Sequence, residues 1–453
     1  MSEPASYWSS RTGFILAAMG SAIGLGSIWK FPYEVGTNGG GVFVLLYLVG
    51  LGLIVFPLML AELAIGRRGR SDAVGSLAAV ARAGAASRGW AMIGVVGVAG
   101  AVLILSFYSV IGGWAIAYIV DTARHGLAGD VAHLRARYDA LLAAPLRLTL
   151  YHTAFMAITA VIVARGIADG IERASRYLMP GLIALVVVLA IYSMSQGDAR
   201  AALRFLFEVD LARLSPRTAL EALGLGFFSI GVGLSVMVTY AAYARPDLGL
   251  REVAIVTLLS DTAISLLVGL AVFPVVFAER LDPAGGPGLM FVTLPLAFAR
   301  MPLGTTAAVA FFVLLTMAAL ASALSLLEMP VALAGRWLGW SRPWAAAGAA
   351  AACWALGLAS VLSFNVWSGW YPLAWVPGLA TATAFDCLDR LTSNAVLPLG
   401  GLGLAIFGGW VMPRRVLVEE LRLGRAGGLV ILVALRYVVP VGIVAASLAS
   451  LAR

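Results

Sequence analysis

Hydroxyls, main-chain carbonyls and one carboxylate are the groups best suited to chemistry in this sequence. They fall in three short stretches. The first is Gly20-Ser21-Ala22-Ile23-Gly24-Leu25-Gly26-Ser27, the second Gly224-Leu-Gly226-Phe-Phe228-Ser229-Ile-Gly231-Val-Gly233, and the third Ser260-Asp261-Thr262. Ser265 stands one helical turn after Asp261, on the same face. Neutral oxygens with a single carboxylate suit a hard monovalent cation such as Na⁺; soft ligands that would favour a transition metal are missing from them. The three histidines (His125, His133, His152) have no metal-ligand spacing, and Cys353 and Cys387 read as buried thiols in apolar stretches. No nucleophile–base pair is evident, so enzymatic chemistry is not expected. Each serine alone reads equally well as a helix hydroxyl bonded back to its own backbone.

What would position these groups is a pair of interrupted helices. Glycines at this density weaken a helix interior by up to about 1 kcal/mol each. In lipid, unwound backbone survives only where it lines a cavity or is buried in protein. Close packing of small residues between helices explains one such stretch. Two of them, heading the first and sixth of about eleven apolar segments, point instead to a transport site built from broken helices in two repeats.

The composition sets the solvent. The 453-residue chain is 61% hydrophobic and 12% charged, half the charge of an ordinary soluble domain, about 25%. It excludes a soluble enzyme, a disordered scaffold and a nucleic-acid-binding domain, and describes an all-α polytopic membrane protein. Runs long enough to cross a bilayer lie near 12–36, 42–66, 90–122, 149–166, 175–195, 218–244, 252–278, 303–335, 344–362, 384–411 and 428–450. The polar stretch 1–11 does not read as a signal peptide. Connections after even-numbered segments hold 16 arginines and the opposite ones 11, which places the N-terminus in the cytoplasm and, with an odd number of spans, the C-terminus outside. Charges left at membrane depth are Lys30, the only lysine, with Glu62, Asp261, Glu328 and Asp389. Each is a functional candidate, although Glu62 and Glu328 read best as structural, hydrogen-bonded acids. Tyr108 needs a partner for its buried hydroxyl, either a substrate carboxylate or a backbone carbonyl.

The residues Trp8-Ser-Ser-Arg11-Thr-Gly-Phe, Gly20-Ser-Ala-Ile-Gly-Leu-Gly26-Ser-Ile-Trp-Lys30-Phe-Pro32 and Asn38-Gly-Gly-Gly41 resemble the opening of the neurotransmitter:sodium symporter family. Pro57-Leu-Met-Leu-Ala-Glu62-Leu-Ala-Ile-Gly66-Arg67, Arg165-Gly-Ile-Ala-Asp-Gly170-Ile-Glu172, Ser322-Ala-Leu-Ser-Leu-Leu-Glu328 and Asp389-Arg-Leu-Thr-Ser-Asn-Ala-Val-Leu-Pro-Leu-Gly400 extend the similarity over nearly the whole chain. The resemblance implies one transporter domain, 1–453, with the LeuT fold: two inverted five-helix repeats, 12–195 and 218–411, plus an additional helix, 428–450. It implies sodium-coupled import of a small amino acid or amine by alternating access, in the inner membrane of a bacterium, without an organic cofactor.

Carried over residue by residue, Ala22, Gly24, Gly26 and Tyr108 resemble the part of the substrate site that holds the α-carboxylate and backbone, and Ser21 and Ser229 are counted with the substrate-binding residues. Ile104, Phe228, Gly231, Leu234, Ser322 and Leu326 would surround the side chain. Gly24 stands where amine-carrying relatives have Asp, which favours an amino acid, and the apolar lining favours a hydrophobic one. One sodium would be held by Ala22, Ser27, Ser229 and either Ser260 or Asp261. A second would be held by Gly20, Ile23, Ala318 and Ser322, where Ala321-Ser322 replaces the family's Thr-Ser pair and removes one oxygen. A carboxylate at Asp261 is similar to the chloride-independent members, with Tyr47 and Ser265 remaining from a chloride-like shell. Lys30 and Asp389 fall at the extracellular gate. The cytoplasmic gate differs: the basic residue expected before Trp8 is replaced by Ala5, Ser6 and Tyr7, and its partner region reads Ala334-Gly335-Arg336. Two other readings stand beside sodium symport, namely proton coupling through Asp261 and a sensor that binds amino acid without moving it.

Overall fold

A computed structural model describes residues 7–127, 131–283, 289–376 and 378–451. Ala5 and Ser6 lie outside the described residues. The helices, numbered in chain order, are α1 (Arg11–Ala22), α2 (Gly26–Thr37), α3 (Gly41–Gly69), α4 (Ala73–Ala83), α5 (Arg88–His125), α6 (Val131–Leu142), α7 (Pro145–Ala164), α8 (Ile167–Gln196), α9 (Ala199–Phe207), α10 (Pro216–Ile230) and α11 (Val236–Ala242). After them come α12 (Leu250–Ala278), α13 (Leu289–Ala299), α14 (Gly304–Trp337), α15 (Arg342–Ser363), α16 (Ala384–Val411), α17 (Arg414–Leu421) and α18 (Arg425–Leu448). Among the described residues nine helices are individually long and apolar enough to span a bilayer, and α1 with α2, bent by 49° at their junction, makes ten. The expected span 218–244 is built as two short helices, α10 and α11, so neither passes that test alone.

The two breaks have local causes. Helix α1 begins under Ser10, whose hydroxyl accepts from the Gly13 N–H at 2.9 Å. It ends at Ile23, which leaves helical geometry (ψ 95°). Helix α10 starts on the Ser215 cap with Pro216 at its first position, an arrangement that satisfies free amides without needing the proline N–H. Gly231 and Gly233, at φ +70° and +98°, then turn the chain through the left-handed region. Ser235 follows at φ +63°, a strained setting for a residue with a side chain. The Glu62 carboxylate, fully buried in α3, accepts from the Gly233 and Met237 amides at 2.8 and 3.1 Å. The structural role expected for Glu62 is thus specific: it replaces the hydrogen bonds that the broken helix cannot make to itself.

Around the breaks, α5 packs along α14 as the central pair, with α7 and α15 outside them, while α1 lies against α8, α12 and α14. Apolar side chains such as Leu150, Val188, Leu259 and Val441 face outward, as expected where the solvent is lipid. Both cysteines are free and buried.

Candidate functional site

The tip of α1 and the α10–α11 break meet at the centre of the molecule, and three clusters form around them. In the first, Ser27 and Ser229 hydroxyls lie 2.9 Å apart and both donate to Asp261 Oδ1, the Ser229 bond being 3.1 Å. Tyr47 from α3 donates to Asp261 Oδ2 at 2.7 Å. Ser27, Asp261 and Tyr47 are inaccessible to solvent or nearly so. A carboxylate ringed by hydroxyls that can turn their lone pairs inward matches a small hard cation. Of the two alternatives, Ser260 and Asp261, it is Asp261 whose carboxylate accepts the hydrogen bonds of this cluster. Ser260 is half-buried, and one residue along α12 rotates a side chain by about 100° away from its neighbour's direction.

The second cluster forms where α1 runs out of partners for its last carbonyls. The Ser322 hydroxyl of α14 lies 3.1, 3.3 and 3.3 Å from the Gly20, Ser21 and Ile23 carbonyl oxygens. Ala318, also buried, precedes Ser322 by one turn of α14, and Ala321 offers no side-chain oxygen. The set is therefore mostly main-chain oxygen, with one hydroxyl.

Between these clusters lies a cavity of 40 Å³, lined by Ser21, Gly24, Gly26, Tyr108, Ser322 and Leu326, with Ile104, Phe228, Ser229, Gly231 and Leu234 completing the expected set. Ala22 is fully buried at the end of α1 and is not part of the lining. The Tyr108 hydroxyl accepts from the Leu25 amide at 3.0 Å, so its first partner is main chain, and the Ser322 hydroxyl lies within hydrogen-bonding reach of it. Gly24 is held to glycine by space: a Cβ there would lie 2.7 Å from the Tyr108 oxygen and against Ser322.

Sequence reasoning missed Ser325, whose hydroxyl accepts from Ser21 at 2.9 Å and donates to the Ser322 carbonyl at 2.8 Å inside the same lining. Val236 and Leu397 were missed as well. The i, i+3 spacing of Ser322 and Ser325 was the available signal.

Above the cavity, Phe228 separates it from a second space of 160 Å³ lined by Lys30, Glu34, Arg217, Glu221 and others. The Lys30 Nζ sits 4.2 Å from the centre of the Phe228 ring, a cation–π contact. Lys30 and Asp389 form no ion pair among the described residues. The gate pairing is corrected for this conformation: Lys30 covers the cavity through Phe228, and Asp389 accepts from Ser393 at 3.4 Å.

The opposite end is closed by other contacts, as the loss of the usual pair requires. Trp8 donates from Nε1 to the Tyr240 carbonyl at 2.9 Å. Glu328, fully buried, accepts from Tyr243 at 3.0 Å and pairs with Arg342 at 2.5 Å. Glu172 accepts from the Ser9 amide and hydroxyl, both at 2.7 Å, and from the Ser10 hydroxyl at 2.9 Å, which pins the start of α1 to α8. Arg336, in the region where an acid was expected, pairs with Asp72 at 3.4 Å.

Comparison with known proteins agrees with this geometry. The sequence profile of the sodium:neurotransmitter symporter family matches residues 5–139 and 142–363. The chain is 37% identical over 442 residues to YhdH of Bacillus subtilis, described as an uncharacterized sodium-dependent transporter, covering 96% of both chains. It is 30% identical over 415 residues to another such transporter from Haemophilus influenzae, with 89% of each covered. The crystal structure of MhsT in complex with L-phenylalanine superimposes with a TM-score of 0.89 at 40% identity, covering 99% of this chain and 100% of that one.

Proposed function

This chain belongs to the sodium:neurotransmitter symporter family, and on that premise we propose that it imports a hydrophobic amino acid by alternating access, independently of chloride. Membership makes it a sodium-using, multi-pass membrane symporter with the LeuT fold and not an enzyme. The amino acid α-carboxylate would meet Tyr108 and the amides around Gly24 and Gly26. The side chain would lie among Ile104, Phe228, Leu234 and Leu326. One sodium would sit at Ala22, Ser27, Ser229 and Asp261, and a second at Gly20, Ile23, Ala318 and Ser322. The observation that carries the reading is the hydroxyl-ringed Asp261 beside two helix breaks and a largely apolar cavity. Asp261 brings a fixed negative charge next to the ion, the role a bound chloride would otherwise fill. The MhsT complex with L-phenylalanine supports an amino acid as ligand.

In this reading 12–195 and 218–411 are inverted repeats and 428–450 is an added helix. The N-terminus lies in the cytoplasm and the C-terminus outside, in a bacterial inner membrane. Ion binding would order the α1–α2 and α10–α11 breaks, and substrate would favour closure of Phe228 under Lys30. Both effects require that each ligand bind one state better than the other. The test is a binding screen of the standard amino acids with and without Na⁺, followed by uptake into proteoliposomes. Saturable, sodium-dependent, chloride-insensitive binding of apolar amino acids is expected. Sodium-independent binding, or uptake driven only by a pH gradient, would transfer the coupling to a proton on Asp261, a second reading favoured by the burial of that carboxylate among hydroxyls alone.

A further inference from the structure

The last spanning helix carries a charge that neither ion coupling nor gating uses. Arg436 is the twelfth residue of the 24 in α18 (Arg425–Leu448). At a rise of about 1.5 Å per residue, its Cα stands about 16 Å into the helix. Exposed apolar side chains flank it along the axis on both sides, Leu429, Val430 and Val433 before it and Val441 and Val444 after it. An arginine so placed normally pairs with an acid or faces a polar cavity. Here no carboxylate among the described residues lies within 4 Å of it, and the cavities around the transport site do not include it.

Among the described residues the guanidinium makes one hydrogen bond. Nε donates to the Gly409 carbonyl at 2.6 Å. Gly409 is third from the end of α16 (Ala384–Val411), and Arg414 and Arg415 follow just beyond. The stem lies directly on the α16 backbone, since a Cβ on Gly409 would sit 3.0 Å from the Arg436 Cγ. A Cβ on Gly409 would also meet the Arg436 Cα and main-chain nitrogen at 3.3 Å, so Arg436 stands level with the end of the neighbouring span. With Nε engaged, the two terminal nitrogens keep their donors. Beside them, Trp410 and Tyr437, sequence neighbours of Gly409 and Arg436, form an edge-to-face pair with centroids 6.1 Å apart. Both rings are about half exposed, at 49% and 58%. Amphipathic rings of this kind mark the headgroup level of a bilayer.

We propose that Arg436, flanked by Trp410 and Tyr437, holds the phosphate of one anionic phospholipid in the leaflet bordering Arg414 and Arg415. A guanidinium with a free pair of terminal nitrogens matches two phosphate oxygens. The lipid brings the negative charge that the protein does not supply, and its acyl chains continue along the exposed valines and leucines of α18. A zwitterionic lipid carries its own compensating cation and is held less well.

The experiment uses the purified full-length protein in detergent, titrated with phosphatidylglycerol or phosphatidylcholine, with bound lipids counted by native mass spectrometry. The intact protein is expected to bind one phosphatidylglycerol more tightly than phosphatidylcholine. Arg436→Gln should weaken that site about tenfold, Arg436→Lys should fall between because it keeps charge and loses the fork, and Arg415→Gln should change it less than about twofold. An Arg436→Gln protein that binds phosphatidylglycerol like the parent, or a parent that does not distinguish the two lipids, overturns the proposal. Should Arg436→Gln fail to fold, Trp410→Ala retains the charge and opens one wall. A drop of about threefold in phosphatidylglycerol affinity supports the site, and unchanged affinity counts against it. None of these outcomes depends on which solute the protein transports.

Discussion

The two oxygen clusters beside the cavity are built from opposite materials. Around Asp261 the oxygens come from side chains of four separated helices: Ser27 of α2, Tyr47 of α3, Ser229 of α10 and Asp261 of α12. Around Ser322 they come mainly from the main chain at the end of α1, with a single hydroxyl facing three carbonyls. The difference separates two kinds of dependence. The first cluster exists only while four elements are held together, so a cation there ties the bundle into one unit, and its formal charge makes it sensitive to each side chain. The second depends on α1 ending at Ile23, so a cation there reports whether that helix tip is docked on α14. The first should be easy to break by point mutation and the second easier to improve.

The largest effect is expected from Asp261→Asn. It removes the formal charge while keeping the shape, and should weaken sodium-dependent amino acid binding about 100-fold in a radioligand assay. A mutant with the parent's Na⁺ and pH dependence would remove the contrast between the clusters. Tyr108→Phe comes next. Loss of the hydroxyl between Leu25 and the substrate carboxylate should weaken amino acid affinity about tenfold or more at saturating Na⁺, and unchanged affinity would take Tyr108 out of the site. Ala321→Thr, which restores the family's second hydroxyl, should raise apparent Na⁺ affinity about threefold. Gly20 lies so near that a methyl on it would be 3.2 Å from the Ala321 Cβ, so Ala321→Ser is the cleaner version of the same test. If neither variant responds, the main-chain cluster holds no sodium. Smallest is Ser260→Ala, expected to stay within about twofold in Na⁺ titration; a loss like that of Asp261→Asn would restore the neighbouring register.

Much of the site was legible because its signals are local. Glycines at 24, 26, 231 and 233 weaken helices wherever they stand, and Ser27, Ser229 and Asp261 each lie in recognisable motifs. What was not legible is direction. Ser260 and Asp261 are adjacent in sequence, yet only the packing of α12 against α2 and α3 selects one of them. Lys30 was expected to face Asp389, but its Nζ goes to the Phe228 ring. Arg436 escaped notice because one arginine within a long apolar run resembles the loop arginines that report orientation.

By itself the sequence determined the solvent, the helical class and the places where helices must break. Each follows from the transfer of apolar and polar groups into lipid and from the backbone freedom of glycine, properties that belong to a residue and its near neighbours. Only the tertiary structure decided which oxygens share a centre, which charge is left without an acid, and what closes each end of the cavity. Those outcomes depend on helix rotation and on approach between residues as far apart as Gly20 and Ser322. A shift of a single residue, about 100° on a helix, is enough to send a side chain from the site into the surrounding packing.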